Sequence, residues 1–300
     1  MSSTSPSRPV VYASVGVLIL IWGTTWAAIR IGLEGIPPLT GVTLRFAIAA
    51  AVLLPLAPAL GVRLGRSQVE RRLWLASTVL NFCASYGILY WAEQWVPSGL
   101  TAVLFATFPL WMGLLAHLLL PGERLTPRAF AGALAGFAGV AVIFSEDFRS
   151  LGGPQVAFAA AVVLLSPVSS ALGSVAIKRW GQGIHPLSLS AVPMGLTALV
   201  MAPAAWLLER GREVTFDTRS VAALVYLAVF GSAITFTLYY WLLKRLPATS
   251  LALITYATPV VAVVVGSLFL DEPFTLRILL GALLVIAGVA VAMRPRPKAA

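Results

Sequence analysis

Tyr90-Trp91, Pro97, Pro109, Glu123 and Thr126, closed by GALAGFAGVAVI at 132–143, return as Tyr240-Trp241, Pro247, Pro259, Glu272 and Thr275, closed by GALLVIAGVAVA at 281–292. The two series lie 247 − 97 = 150 residues apart at the first proline and 272 − 123 = 149 at the glutamate, so one residue has slipped between them. A period this long exceeds any solenoid unit. The chain is two copies of one half. The number of membrane crossings per half then decides whether the copies run the same way or opposite ways.

Composition sets the class. Of 300 residues, 59% are hydrophobic and 11% charged, with a mean hydropathy of +0.91. An ordinary soluble domain carries roughly 25% charged residues, and no soluble core could hide this much apolar surface. The chain reads as an all-α polytopic membrane protein. Its formal charge of +10 would suggest nucleic acid in a soluble protein. Here it reads as topology information, because cytoplasmic loops collect Lys and Arg, and no basic run is long enough to form a nucleic-acid stripe. Cys83 is the only cysteine, which excludes an internal disulfide or a Cys-based metal site. His117 and His185 have no metal-ligand spacing. Neither a metal nor any other cofactor is expected. The apolar run from Val10 continues past Trp22 and Trp26 without a cleavage pattern, so it reads as a retained first span.

A helix needs about 20 apolar residues to cross the hydrocarbon core. Ten such stretches lie near 10–33, 38–60, 72–92, 97–120, 127–145, 154–178, 187–208, 219–243, 248–270 and 276–293. Five crossings per half is an odd number, so the second copy enters the membrane upside down. That is an inverted repeat, an arrangement common in secondary transporters. The expected organisation is a disordered N-terminus at 1–9, a first five-helix repeat at 10–147, an inverted second repeat at 148–293 and a basic tail at 294–300. With the N-terminus in the cytoplasm, inner segments hold 14 of the 21 basic residues and outer segments six. Both termini are therefore expected in the cytoplasm.

Candidate functional residues each carry a structural alternative. Pro109 and Pro259 fall near the centres of equivalent spans four and nine. They read as hinges or cavity-shaping kinks, or as ordinary bends. Arg45 is the only charge clearly inside a span, away from its ends. It could bind a substrate carboxylate or pair with helix-end carbonyls. Trp22, Trp26 and Thr25 sit together on span one, Asn81, Ser85, Tyr86 and Tyr90 on span three, and Ser166, Ser169, Ser170 and Ser174 on span six. Span eight offers Ser232, Thr235, Phe236 and Tyr239, and span nine Thr255, Tyr256 and Thr258. Such a set could stack an aromatic group and hydrogen-bond a polar head, or reflect interfacial belts and small-residue packing. Asn81 stands out because an amide at mid-membrane needs partners. Gly132, Gly136 and Gly139 match Gly281 and Gly288 and read as scaffold or as a dimer contact. No Asp or Glu lies mid-span, and Glu93 sits near a helix end. Facilitated diffusion or exchange therefore has weight against proton coupling. No metalloprotease, nucleophile-elbow or P-loop motif is present, so an enzyme is not expected.

The stretch IWGTTWAAIRIGLEGIPPLTGVTLRF at 21–46 resembles the opening of EamA-type members of the drug/metabolite transporter superfamily. The elements are Trp22-Gly23, the basic Arg30, Pro37 and Pro38, and Arg45-Phe46. Glu123/Thr126 and Glu272/Thr275, each followed by a glycine-rich helix, are similar too. The resemblance implies ten helices in two pseudo-symmetric halves around a central cavity, and the aromatic content is similar to that of YddG-like aromatic amino-acid exporters. Span six departs from the pattern, since SPVSSALGSVAIKRW keeps the basic end at Lys178 but no Trp-Gly. The expected activity is export of small metabolites, foremost aromatic or large apolar amino acids, by alternating access in the inner (plasma) membrane. The site residues expected are Trp22, Thr25, Arg45, Asn81, Ser85, Tyr86, Tyr90, Phe105, Ser169, Thr235, Tyr239 and Tyr256. The rivals are a multidrug or quaternary-ammonium exporter, an intramembrane lipid-processing enzyme and a channel. The expected partners are a small-molecule substrate and the lipid bilayer, with no nucleic acid, in a monomer or weak homodimer.

Overall fold

The computed structural model describes residues 8–122, 127–144, 153–252, 254–272 and 275–292, and every regular element in these ranges is a helix. Spans one to five are Arg8–Gly32, Pro38–Ala59, Gln68–Ala92, Ser98–Leu119 and Pro127–Phe144. Spans six to eight are Pro154–Trp180, Pro186–Leu208 and Thr218–Leu243. Span nine comprises Ala248–Ala252 and Ile254–Phe269, and span ten is Leu276–Ala292. Seven of these helices are long and apolar enough to cross a membrane unaided, and spans five, nine and ten contribute shorter apolar helices. Proline at the first helical turn opens spans two, six and seven, where the missing N–H would have no partner anyway.

The ten helices form two inverted five-helix repeats, and the packing follows that symmetry. Span two lies along span seven and span five along span ten, each helix against its own counterpart. Span one packs on span nine, and its counterpart span six packs on span four. The glycine faces of spans five and ten meet each other. A Cβ at Gly139 would lie 2.6 Å from the Gly281 carbonyl oxygen, so these backbones touch directly. The glycines act as scaffold within the chain.

Two departures from regular helix recur at matching places. Span three turns π-helical over Ser77–Ala84 and span eight over Val229–Ile234. These segments turn backbone carbonyls toward neighbouring spans, and π segments of this kind concentrate at functional sites. Carboxylates also cap span starts. Glu272 accepts from Ser98 N at 2.8 Å, Ser98 Oγ at 2.8 Å and Gly99 N at 3.1 Å. Glu209 does the same for Leu39 N, Thr40 N and Thr40 Oγ1. Each supplies negative charge and acceptors where a helix start needs both.

The paired prolines differ. Pro109 follows a break at Ala106 and Thr107 and sits in the first turn of the helix Phe108–Leu119. Pro259 lies inside the continuous helix Ile254–Phe269. The equal depth expected for the two prolines does not give equal backbone geometry.

Candidate functional site

Spans one, three, four, six, eight and nine line a central cavity. Span one contributes Trp22, Thr25, Trp26 and Ile29 to its wall, and span three contributes Asn81, Ser85, Tyr86 and Leu89. Each set recurs at helical spacing, so one face of each helix is turned inward.

The aromatic side is built from touching rings. Trp22 lies 5.3 Å from Tyr239 and 5.7 Å from Phe236, centroid to centroid. Trp26 lies 5.4 Å from Phe105, which stacks on Phe108 at 5.8 Å. Offset and edge contacts of this kind hold rings rigidly. Trp22 Nε1 donates to Thr235 Oγ1 at 3.1 Å. The polar side is a hydroxyl cluster between spans three and six. Ser85 Oγ lies 2.8 Å from Ser166 Oγ and accepts from Ser170 Oγ at 2.9 Å. Tyr239 OH donates to Ser174 Oγ at 3.4 Å. Asn81 Nδ2 donates to Ser77 Oγ at 2.9 Å and Tyr240 OH at 3.2 Å. The mid-membrane amide has the partners it requires.

The repeat register shows how the lining divides between the halves. Arg30 and Lys178 are 178 − 30 = 148 residues apart and perform the same task. Arg30 donates to the Glu93 carbonyl, and Lys178 to the Leu243 carbonyl at 2.8 Å, itself 243 − 93 = 150 residues further on. On span one this register pairs Trp22 with Ser170 and Trp26 with Ser174. On span four it pairs Phe105 with Thr255 and Phe108 with Thr258. All eight side chains line the cavity. The first half supplies indole and phenyl rings at four positions where the second half supplies hydroxyls.

Close packing beside the cavity is also exchanged between halves. A Cβ on Gly173 would collide with Asn81 Oδ1, and one on Gly231 would lie 2.8 Å from Thr25 Cγ2. Gly173 occupies the register position of Thr25, and Gly231 that of Asn81. Each half thus places a polar residue against the other half's glycine.

Of the expected site residues, Trp22, Thr25, Asn81, Ser85, Tyr86, Phe105 and Tyr239 line the cavity. Arg45, Tyr90, Ser169 and Thr235 stand behind the wall. Arg45 is 1% exposed and donates from Nε to Ser232 Oγ at 2.7 Å and from Nη2 to the Gly231 carbonyl at 3.0 Å. Its guanidinium sits 4.6 Å from the Tyr86 ring centroid, and Nη1 reaches Tyr90 OH at 3.4 Å. The carbonyl it uses belongs to the π segment of span eight, so the pairing alternative describes its position. Ser169 Oγ donates to the Leu80 carbonyl at 2.7 Å, in the π segment of span three. The Tyr256 side chain lies outside the described residues. Ser232 donates to the Leu227 carbonyl while accepting from Arg45, which commits its hydroxyl to structure. Phe108, Trp26, Ser170, Ser174, Thr255 and Thr258 line the cavity as well, outside the set expected from the chain. The offsets of 148 and 150 carry Trp22 to Ser170 and Phe105 to Thr255.

Comparison with known proteins agrees with this architecture. The EamA-like transporter family matches the chain twice, over residues 11–145 and 157–294. The chain belongs to the EamA-like transporter family. As an EamA protein it is a multi-pass membrane transporter. It is 26% identical over 270 residues to the uncharacterized transporter YoaV of Bacillus subtilis, covering 90% of this chain and 92% of that protein. The uncharacterized inner membrane transporter YedA of Escherichia coli is 29% identical over 256 residues, covering 85% of this chain and 81% of YedA. A probable terminal-alkyne amino-acid exporter of Streptantibioticus cattleyicolor is 30% identical over 277 residues, covering 92% and 91%. A solved crystal structure superposes with a TM-score of 0.73 at 25% identity, over 95% of this chain and 97% of that one.

Proposed function

We propose that this EamA protein exports small amphipathic metabolites, foremost amino acids with aromatic or large apolar side chains. The observation that carries the reading is a cavity lined by first-half rings and second-half hydroxyls. Rings at Trp22, Trp26, Phe105 and Phe108 offer an apolar surface for a side chain. Ser170, Thr255 and Thr258 donate to Ser85 Oγ and to the Ala252 and Thr255 carbonyls, so with Ser174 they offer a polar head mainly acceptor oxygens. The amino-acid exporter relative supports the substrate class. The broken span four and the inverted halves support alternating access, with the repeats rocking about a midplane site. The basic-residue bias favours cytoplasmic termini, and the YedA relative supports the inner membrane. Arg45, Tyr90, Ser169 and Thr235 take supporting roles in this reading, and Pro109 beside the break is a stronger hinge candidate than Pro259.

No carboxylate lines the cavity among the described residues, so a quaternary ammonium would lack a counter-charge there. Counterflow of radiolabelled phenylalanine in proteoliposomes tests the proposal. Unlabelled phenylalanine, tryptophan or leucine inside should drive uptake, and tetraphenylphosphonium should not. Uptake driven by tetraphenylphosphonium and by none of the amino acids would overturn it.

A further inference from the structure

Glu93 lies immediately beyond the end of span three and is fully buried, at 0% exposure. Neither of its carboxylate oxygens has a hydrogen-bond partner. Buried charges ordinarily survive only when paired and hydrogen-bonded, and otherwise neutralise. Glu70, the other buried acid among the described residues, follows that rule, receiving the Arg66 N–H at 2.8 Å and the Ser188 hydroxyl, and the half-buried Glu272 holds three donors.

The scaffold does not need an acid at this place. At the same register the second half has Leu243, also fully buried. The structural task of the position, receiving a basic side chain from span one or span six, falls to the backbone carbonyl in both halves. The carboxyl of Glu93 is therefore additional to the fold.

Its place connects it to the cavity. Ser85, Leu89 and Glu93 recur every four residues along span three, and the first two line the cavity. Trp26 and Arg30 have the same spacing on span one. Trp26 lines the cavity and its buried indole N–H has no partner. Glu93 thus sits one turn beyond the cavity wall, between spans one and three.

We propose that Glu93 is the group that binds the proton coupled to transport. The proposal rests on the transport reading and adds its energy source. Four ionisable neighbours set its charge. These are Arg30 of span one, Arg45 of span two, Tyr90 on span three and Glu272 from the link after span nine. Arg45 is engaged by Gly231, Ser232 and the Tyr86 ring, and Arg30 by the Glu93 carbonyl, so neither forms an ion pair with the carboxylate. Burial pushes the Glu93 carboxyl well above the usual carboxylate range. The Glu272 charge adds to that shift, while Arg30 and Arg45 oppose it. In this closed arrangement Glu93 carries its proton. When the repeats rock and water reaches this end of span three, the O–H bond breaks, the proton passes to that water, and the carboxylate is left facing Arg30 and Arg45. When the cavity, one turn away, opens to the opposite aqueous phase, the carboxylate takes a proton from that phase. Each cycle therefore carries one proton across the membrane.

Two measurements on the full-length protein in liposomes test this. The first compares accumulation of radiolabelled phenylalanine under a one-unit pH gradient with counterflow exchange of the same substrate. With one proton per substrate the gradient supports about tenfold accumulation, and in E93Q the ratio of accumulation to exchange falls by about that factor. Wild-type exchange that ignores the gradient, or an unchanged ratio in E93Q, would overturn the proposal. The second reads the proton directly by infrared spectroscopy. A protonated-carboxyl band present in wild type at neutral pH and missing in E93Q supports the assignment, and identical spectra refute it. If neither protein exchanges phenylalanine, the substrate reading fails alone and the infrared comparison decides Glu93.

Discussion

The two halves of this transporter are alike where they hold the protein together and different where they face the cavity. Spans five and ten meet through the same glycines, and spans three and eight carry matching π segments. Arg30 and Lys178 both bind the backbone carbonyl at the end of the third helix of a repeat. At the cavity the likeness stops, with Ser170 and Ser174 at the positions of Trp22 and Trp26 and with Thr255 and Thr258 at those of Phe105 and Phe108. Duplication supplies a shared scaffold. Divergence at a few inward positions gives a cavity lined by both rings and hydroxyls. The same contrast isolates Glu93, whose counterpart is Leu243.

The comparison can be broken most severely by making the polar wall aromatic. Ser174→Trp adds an indole to the cavity lining and fills the space the proposed substrate needs. Phenylalanine counterflow should be abolished while the purified protein keeps its size-exclusion profile. Retained flux would remove the cavity from the transport path.

Arg45 tests the next difference, since the register places Pro193 at its equivalent position on span seven. Arg45→Met leaves the Gly231 carbonyl and Ser232 Oγ without their charged donor. Losing such bonds should cost about 3 kcal/mol, read as a lower midpoint in a detergent thermal melt. A midpoint equal to wild type would return Arg45 to the list of substrate ligands.

The exchanged glycine contacts sharpen the symmetry. Gly173→Ala and Gly231→Ala each drive a methyl into the opposite half, at Asn81 and Thr25 respectively. Each should destabilise by about 1–3 kcal/mol. Gly173→Ala should cost more, because both donors of the Asn81 amide are held in place. Equal and negligible losses would show that the helices part easily there.

A smaller effect concerns acidity. A carboxyl raised in the folded state binds more protons folded than unfolded, so its contribution to stability is present at low pH and lost as pH rises. The decline should begin as pH passes about 4.3, the ordinary glutamate value, and end above the folded-state value. Glu93→Gln should flatten that part of the melting-temperature profile, and a profile parallel to wild type would contradict the assignment.

Much of the fold was legible in the chain. Length and apolarity located each span to within a few residues, and parity made the repeat inverted. The π segments were not legible, because STVLNFCA and VFGSAI carry no proline or pattern that separates them from ordinary helix. Arg45 was visible as a lone charge, but its partners on span eight exist only after helices from opposite halves pack. Glu93 read as a residue at a helix end, because hydropathy along one helix cannot reveal that surrounding elements bury it. The rings of the first half stand out in the chain, whereas a serine on a membrane helix ordinarily means packing. The repeat register is the signal that links the two sets.

The central claim is that the first half's rings recognise the apolar end of the substrate and the second half's hydroxyls its polar end. The most direct test measures kcat/KM for phenylalanine and for alanine in proteoliposomes containing wild type, Phe105→Thr or Thr255→Phe. The account predicts that Phe105→Thr lowers the phenylalanine-to-alanine ratio by about tenfold. It predicts that Thr255→Phe slows both substrates together and leaves the ratio near its wild-type value. Ratios that fall equally in the two variants, or in neither, would contradict it.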